Sequence, residues 1–161
     1  MELGMNLITF SLFGDNPLYC QGAVENANLA RVIYPEWTAR FYVAQDVPED
    51  YIKEIQDYGA EVVRCEKKNS YDGLNWRFRP LSSLKVHYWI SRDADSRLSW
   101  RERNAVDEWI ESDKSAHLLR DSHNHGYTIM AGMFGVNNKL FHERYGMIDL
   151  DNVNANYREA D

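Results

Sequence analysis

The chain has 161 residues, 44% of them hydrophobic and 13% aromatic, so it can bury the core of a single domain and is too apolar to be disordered. Its 18 basic and 25 acidic residues give a formal charge of −7, which argues against nucleic-acid wrapping and against a polybasic membrane patch. No apolar run reaches the roughly 18 residues of a membrane span, and no signal peptide is recognisable. We therefore expect a cytoplasmic protein in which Cys20 and Cys65 are free thiols.

The first half of the sequence alternates between strand and helix patterns. Short β-rich apolar runs predict strands, and apolar residues at helical spacing predict helices between them. The predicted strands are 6–12, 39–43 and 61–64, and the predicted helices are 22–33 and 48–58. Turn-forming residues at 14–17 predict a loop behind the first strand. The β-α-β-α-β order is typical of a mostly parallel sheet with helices packed on its faces.

The second half predicts a strand followed by the most helix-like segment of the chain. Residues 73–84 predict a short helix or turn, 86–90 a strand, and 116–119 a short strand. A helix is expected over 99–111, with Ser99 as its cap and Glu102 three residues on, as in a capping box. The glycine-containing run 128–136 allows no assignment. As domains we expect a leader at 1–5, one α/β domain at 6–148 and a polar tail at 149–161.

The acidic pair Asp93 and Asp95 follows the predicted strand 86–90 and is flanked by Arg92 and Arg97. Carboxylates are costly to bury without partners, so the lip of a sheet is their expected place. A turn at Ala94 would let both converge on one ion, and hard oxygen ligands of this kind suit Mg²⁺ or Mn²⁺. The alternative is that the aspartates cap the next helix or pair with the two arginines.

Three other segments could serve a ligand at the same sheet edge. In Trp76-Arg77-Phe78-Arg79, either arginine could bind a diphosphate through its planar guanidinium, or form surface ion pairs. The loop His123-Asn124-His125-Gly126 could contact substrate hydroxyls or phosphate, bind a metal, or be an ordinary polar loop. In 132–135, small residues permit close approach of a ligand or of another strand. P-loop, dinucleotide-binding and hydrolase-elbow motifs are absent, so a metal-bridged diphosphate suits these groups best.

Taken in order, these segments resemble a family of small nucleotide-sugar glycosyltransferase-like proteins of bacteria and large DNA viruses, often found in polysaccharide-synthesis contexts. The resemblance runs from about residue 6 to residue 136. It is carried by FSLFGDNPLY (10–19), RFYV (40–43), GLNWRFRPL (73–81), the HG…GMFGV ending and, most specifically, ISRDADSRLSWRERNAVDEW (90–109). It implies the A-type glycosyltransferase fold, which is a mostly parallel, three-layer α/β/α nucleotide-diphospho-sugar transferase-like fold. Relatives run on with a further segment, so the fold implied here is a truncated form.

The resemblance also implies a set of donor-binding residues. Asp93 and Asp95 would hold Mn²⁺ or Mg²⁺, and the loop after the first strand would hold the base and ribose of a nucleotide-diphosphate sugar. Arg77 would lie in the helix that flanks the nucleotide. The residues expected to contact the donor are Ser11, Phe13, Tyr19, Arg77, Asp93 and Ala94.

The expected reaction is transfer of a sugar from that donor to a glycan or other hydroxyl acceptor. An inverting transfer needs a general base. Asp121 is the candidate base, with His123 and His125 behind it. The loop 120–126 departs from the RDHPYHG pattern of relatives but keeps His125-Gly126. The alternative is a catalytically incomplete module that binds a nucleotide sugar or a partner protein.

Overall fold

Six strands form one sheet in the computed structural model, which describes residues 4–69, 71–120 and 126–150. Their order across the sheet is β3-β2-β1-β4-β6-β5. Strands β1 to β4 are parallel, and β6 runs antiparallel to both β4 and β5. The strands are β1 Met5–Leu12, β2 Thr38–Ala44, β3 Glu61–Cys65, β4 Val86–Arg92, β5 Ala116–Leu118 and β6 Met133–Asn137.

Helices cover both faces of this sheet. They are α1 Pro17–Ile33, α2 Glu49–Asp57, α3 Asp72–Asn75, α4 Trp100–Glu111 and α5 Asn138–Tyr145, with a 3₁₀ helix at Trp76–Ser82 that continues α3. In the part of the chain that the structure describes, no helix is long and apolar enough to cross a membrane.

The two faces bury different sets of side chains, because successive residues of a strand point to opposite sides. On one face, α1, α2 and α4 pack against a core that includes the stacked rings of Phe10 and Phe41, 4.5 Å apart. On the other, the 3₁₀ helix and α5 pack around Trp89, which is fully buried and contacts Phe78 and Phe134 edge-on or nearly so. The predicted three-layer α/β/α architecture is confirmed.

The elements agree with the sequence-based expectations except at three places. Helix α1 begins at Pro17 rather than Gly22, because Asn16 caps it by accepting from the Leu18 amide (3.0 Å) and proline suits the first helical turn. Pro48 is the cap residue of α2 rather than part of its first turn. The glycine-containing run 128–136 forms β6 only from Met133 onward, and the helix α5 that follows was not predicted.

The short edge strand β5 is anchored by His117. Its imidazole is buried and lies against the ring of Trp109 in α4, with 5.3 Å between centroids. Its Nε2 atom has no hydrogen-bond partner in the described ranges. Burial, and secondarily the nearby charge of Arg92, lowers the pKa of His117 to about 4.

This lowered pKa predicts acid sensitivity of the fold. Between pH 6.5 and about 4 the unfolded chain binds a proton at His117 that the folded chain does not, so the free energy of unfolding should fall as the pH drops through this window. Above pH 6.5 the effect should vanish. We expect His117→Gln to flatten this part of the pH profile in urea unfolding, and an unchanged slope would contradict the assignment.

Candidate functional site

The cleft of interest lies where the order of strands reverses. The chain builds the sheet outward from β1 through β2 to β3, then returns to place β4 on the other side of β1. In open α/β sheets, ligands bind at the carboxyl ends of the strands beside such a reversal. A cleft of about 500 Å³ lies there, lined by Ser11, Leu12, Phe13, Asn16, Tyr19, Leu74, Asp93 and Asp95.

The acidic turn Asp93-Ala94-Asp95 directly follows β4. The Ser96 amide donates to the Asp93 carbonyl at 3.3 Å, which closes the turn. Both carboxylates line the cleft, whereas Ala94 is buried against α1 and is not among the described residues that line it. The turn thus presents two carboxylates to one opening, as the sequence predicts. The expected contact of Ala94 with a nucleotide-sugar donor stays a prediction.

Helix α1 holds this turn through the fully buried amide of Asn26. Its Nδ2 donates to the carbonyls of Ser96 (2.7 Å) and Ala94 (3.3 Å), and its Oδ1 accepts from the Leu98 amide (3.0 Å). Gly22, one helical turn earlier, makes room for the contact, because a Cβ there would stand 2.1 Å from the Ala94 carbonyl oxygen. The side chain of one asparagine therefore fixes the backbone that carries both aspartates.

Arg77 approaches the turn from the 3₁₀ helix. Its Nη1 atom forms an ion pair with Asp93 Oδ1 and donates to the Arg92 carbonyl at 3.1 Å. Its backbone is tied to β1, since its amide donates to Ser11 Oγ (3.2 Å) and its carbonyl accepts from Thr9 Oγ1 (2.8 Å). Of the two predicted arginines, Arg77 is the one in the site. Arg79 is exposed and contacts Cys65 Sγ at 3.2 Å.

The segment that leads into β6 packs against the same carboxylate. A Cβ on Gly132 would stand 2.0 Å from Asp93 Oδ2, so only glycine fits without moving Asp93. The hydroxyl of Ser91 donates to the Ala131 carbonyl at 2.6 Å and holds the segment in place. The predicted close approach in this glycine-containing run is therefore an approach to Asp93. At Gly135, a Cβ would instead crowd Ile90 and Trp109 in the sheet.

The flanking arginines have other partners than the aspartates. Arg92 is buried and pairs with Glu102 of α4, and Arg97 pairs with Glu25 of α1. Helix α4 is capped by Ser99, whose Oγ accepts from the Glu102 amide at 3.3 Å. The alternative in which the aspartates cap that helix or pair with Arg92 and Arg97 is therefore wrong. Asp95 is exposed and forms no ion pair with any described residue.

The opposite side of the cleft is aromatic and is fixed by Asp46. This carboxylate, in the loop after β2, accepts from the Gly14 amide (2.8 Å) and pairs with Lys67 Nζ (2.7 Å). The hydrogen bond from Lys67, supported by Gly14, holds the pKa of Asp46 below its usual range. The Lys67 ammonium in turn lies 5.4 Å from the centre of the Phe13 ring. The loops after β1, β2 and β3 are thereby joined beside Phe13.

Two kinds of expected residue lie outside this geometry. Asp121, His123 and His125, the predicted base and its neighbours, lie outside the described residues and stay predictions. The expected polar tail also lies outside the described residues from residue 151 onward.

The carboxylates of the cleft fit a divalent cation whose remaining ligands come from a phosphate group and water. Among the described residues, no cluster of three or more histidine, cysteine or acidic side chains could hold a metal on its own. Mg²⁺-type sites, however, commonly use one or two carboxylates and complete their shell with substrate phosphates and water. Asp93 and Asp95 supply such a pair at the wall of one cleft.

Comparison with known proteins identifies the fold. No protein-family model and no curated protein matches the sequence. Among solved structures, the mannosyltransferase PcManGT from Pyrobaculum calidifontis, in complex with GDP-Man and Mn²⁺, aligns with a TM-score of 0.56 and 12% identity. The alignment covers 93% of this chain and 49% of that chain.

A second solved structure also aligns with most of this chain. It is the 4-diphosphocytidyl-2C-methyl-D-erythritol synthase of Anaerococcus prevotii, with a TM-score of 0.51, 11% identity, and coverage of 88% of this chain and 74% of that one. This chain has the A-type glycosyltransferase fold, shared with nucleotide-sugar transferases. At these identities the likeness shows the fold alone, and the chain spans about half the length of the mannosyltransferase.

Several site residues were not predicted. Asn26 and Asp46 are separated in sequence from the groups they bind. The sequence predicts Asn16 only as a turn residue and Leu74 only as part of a short helix or turn. The available signal for Asn26 was its place between Ala23, Ala27 and Ala30 on the buried side of α1, where an amide needs a partner.

The three hydrogen bonds between the Asn26 side chain and the backbone of residues 94–98 form what we call the Asn26 clamp. The clamp predicts that Asn26→Asp strongly lowers the stability of the fold. The substitution keeps the size of the side chain but puts a carboxylate oxygen against the carbonyls of Ala94 and Ser96. We expect the free energy of unfolding to fall by about 2–4 kcal/mol, because buried acceptors lose their donor and face a charge. Urea unfolding at pH 7 measures this.

Asn28→Asp is the matched control, since Asn28 lies on the same helix and its side chain accepts from Arg31 Nε at 2.8 Å, with no contact to the acidic turn among the described residues. Its stability should stay close to that of the parent protein. Equal stability of the two variants would rule out the clamp.

Proposed function

We propose that this protein is a metal-dependent glycosyltransferase that transfers a sugar from a nucleotide-diphosphate donor to a glycan or other hydroxyl acceptor. The observation that carries the proposal is the pair Asp93 and Asp95, presented by a clamped turn to a cleft at the strand-order reversal, with the buried Arg77 beside them. Acidic groups at this place favour a cation and, through it, a diphosphate.

The cleft offers separate surfaces to the parts of such a donor. Phe13 and Tyr19 give the base and ribose end an aromatic wall, and Ser11 adds a hydroxyl. Asp93, Asp95 and Arg77 stand at the other end, where the diphosphate would lie. That the mannosyltransferase of the same fold was solved with GDP-Man and Mn²⁺ supports a nucleotide-sugar donor and a metal here as well.

In the proposed mechanism, Asp93 and Asp95 would hold Mn²⁺ or Mg²⁺, which when bound would supply charge stabilisation for the departing nucleoside diphosphate. Arg77 adds a fixed positive charge beside the same phosphates, and the Asn26 clamp keeps both carboxylates in place. Asp121 is the proposed base for the acceptor hydroxyl, with His123 and His125 as further candidates. The proposed Ala94 contact is through its backbone, as its side chain is buried.

Replacing Asp95 tests the metal site. Asp95→Asn removes one charged ligand from an exposed position, so the fold should be unaffected while Mn²⁺-dependent binding of GDP-mannose or UDP-glucose should weaken at least tenfold, about 1.4 kcal/mol. Isothermal titration calorimetry with and without Mn²⁺ measures this. Asp57→Asn, an exposed position at the end of α2, makes the same charge change away from the cleft. Undiminished binding by Asp95→Asn would refute the metal site.

Turnover separates the enzyme from a binding module. UDP-, GDP- and CDP-sugars incubated with the protein and Mn²⁺ should release nucleoside diphosphate, by transfer or by slow hydrolysis. Donor binding without any release would instead favour a catalytically incomplete nucleotide-sugar-binding module.

A further inference from the structure

Arg77 is an unusual neighbour for a metal-binding carboxylate. Its side chain is only 9% exposed, and its charge is directed at Asp93, the more enclosed of the two aspartates. Its Nε atom is buried and has no hydrogen-bond partner among the described residues. The guanidinium therefore has one anionic partner in the described chain and an unused donor.

Neither member of the pair can easily move away from the other. The backbone of Arg77 is hydrogen-bonded to Ser11 and Thr9 of β1. The carboxylate of Asp93 is confined on its other side by Gly132, where even a methyl group would not fit. A cation that binds Asp93 must therefore either take over Oδ1, which accepts from Arg77, or bind Oδ2 of the same carboxylate beside the Arg77 charge.

We propose that Arg77 competes with the divalent cation for Asp93, and that the diphosphate of the nucleotide relieves this competition by giving Arg77 a new anionic partner. The inference rests on the proposed function and adds a regulation of its site. Binding of metal and binding of nucleotide are then coupled through one side chain, and neither binds well alone.

The physical reason is the cost of an unpaired buried charge. When a cation neutralises Asp93, Arg77 loses its counterion in a place that water hardly reaches, which is strongly unfavourable. A phosphate oxygen that accepts from the guanidinium restores a charge-assisted hydrogen bond. Because coupling between two ligands is reciprocal, a nucleotide that engages Arg77 also frees Asp93 for the metal.

The first test measures Mn²⁺ affinity without nucleotide, from the electron paramagnetic resonance signal of free Mn²⁺. Competition predicts that Arg77→Gln binds Mn²⁺ about tenfold more tightly than the parent protein, since the competing cation is gone. Arg79→Gln is the matched control: it lies on the same 3₁₀ helix, removes the same charge and does not contact Asp93. Its Mn²⁺ affinity should change by less than about threefold.

The second test measures GDP binding in EDTA by calorimetry and does not depend on Arg77→Gln folding. Asp93→Asn frees Arg77 and removes a negative charge, so metal-free GDP binding should tighten at least threefold, while Mn²⁺ binding is lost. Arg77→Gln should weaken metal-free GDP binding, and Arg79→Gln should not.

The outcomes separate the two proposals. Equal or weaker Mn²⁺ binding by Arg77→Gln, or weaker metal-free GDP binding by Asp93→Asn, overturns the competition while leaving a metal-dependent nucleotide site in place. Absence of binding of Mn²⁺ and of GDP, UDP and CDP, in every variant and in the parent protein, overturns the proposed function, and the competition with it.

Discussion

The site depends on the hydrogen bonds between Asn26 and the backbone of the acidic turn. The carboxylates of Asp93 and Asp95 are half-exposed and exposed, and they repel each other. The turn between them has little apolar surface with which to hold its shape. The buried amide of Asn26 supplies two donors and one acceptor to the turn and the residues that follow it. Eight buried residues pack α1 against the core. The helix is therefore fixed in position, and Asn26 holds the backbone that carries Asp93 and Asp95 in place.

Other loops around the cleft are also held by single side chains or close backbone contacts. Asp46 joins the loops that follow β1 and β3, and the segment before β6 touches Asp93 through Gly132. Arg77 is anchored on β1 and reaches the end of β4, so it bridges the two strands between which the order reverses. The charges in the cleft are thus attached to strand ends or to helices packed on them, which is the preorganisation that binding of a charged ligand requires.

Sequence patterns predict the parts of this protein that depend on local chemistry. The apolar runs of β1 and β2 and the cap at Ser99 are such parts, and so is the acidic turn, since two aspartates cannot stay inside a strand. The Asn26 clamp was not predictable, because its partners lie 68 to 72 residues away. The choice between Arg77 and Arg79 also needed the structure, since a 3₁₀ segment decides which one faces β4. Asp121, His123 and His125 stay predictions.

The most direct measurement is the anomalous scattering of manganese in crystals soaked with MnCl₂ and GDP. We expect one strong anomalous peak within coordination distance of carboxylate oxygens of both Asp93 and Asp95, with phosphate density between the peak and Arg77. Manganese bound elsewhere, or nucleotide density away from the end of β4, would contradict the assignment of this cleft as the donor site.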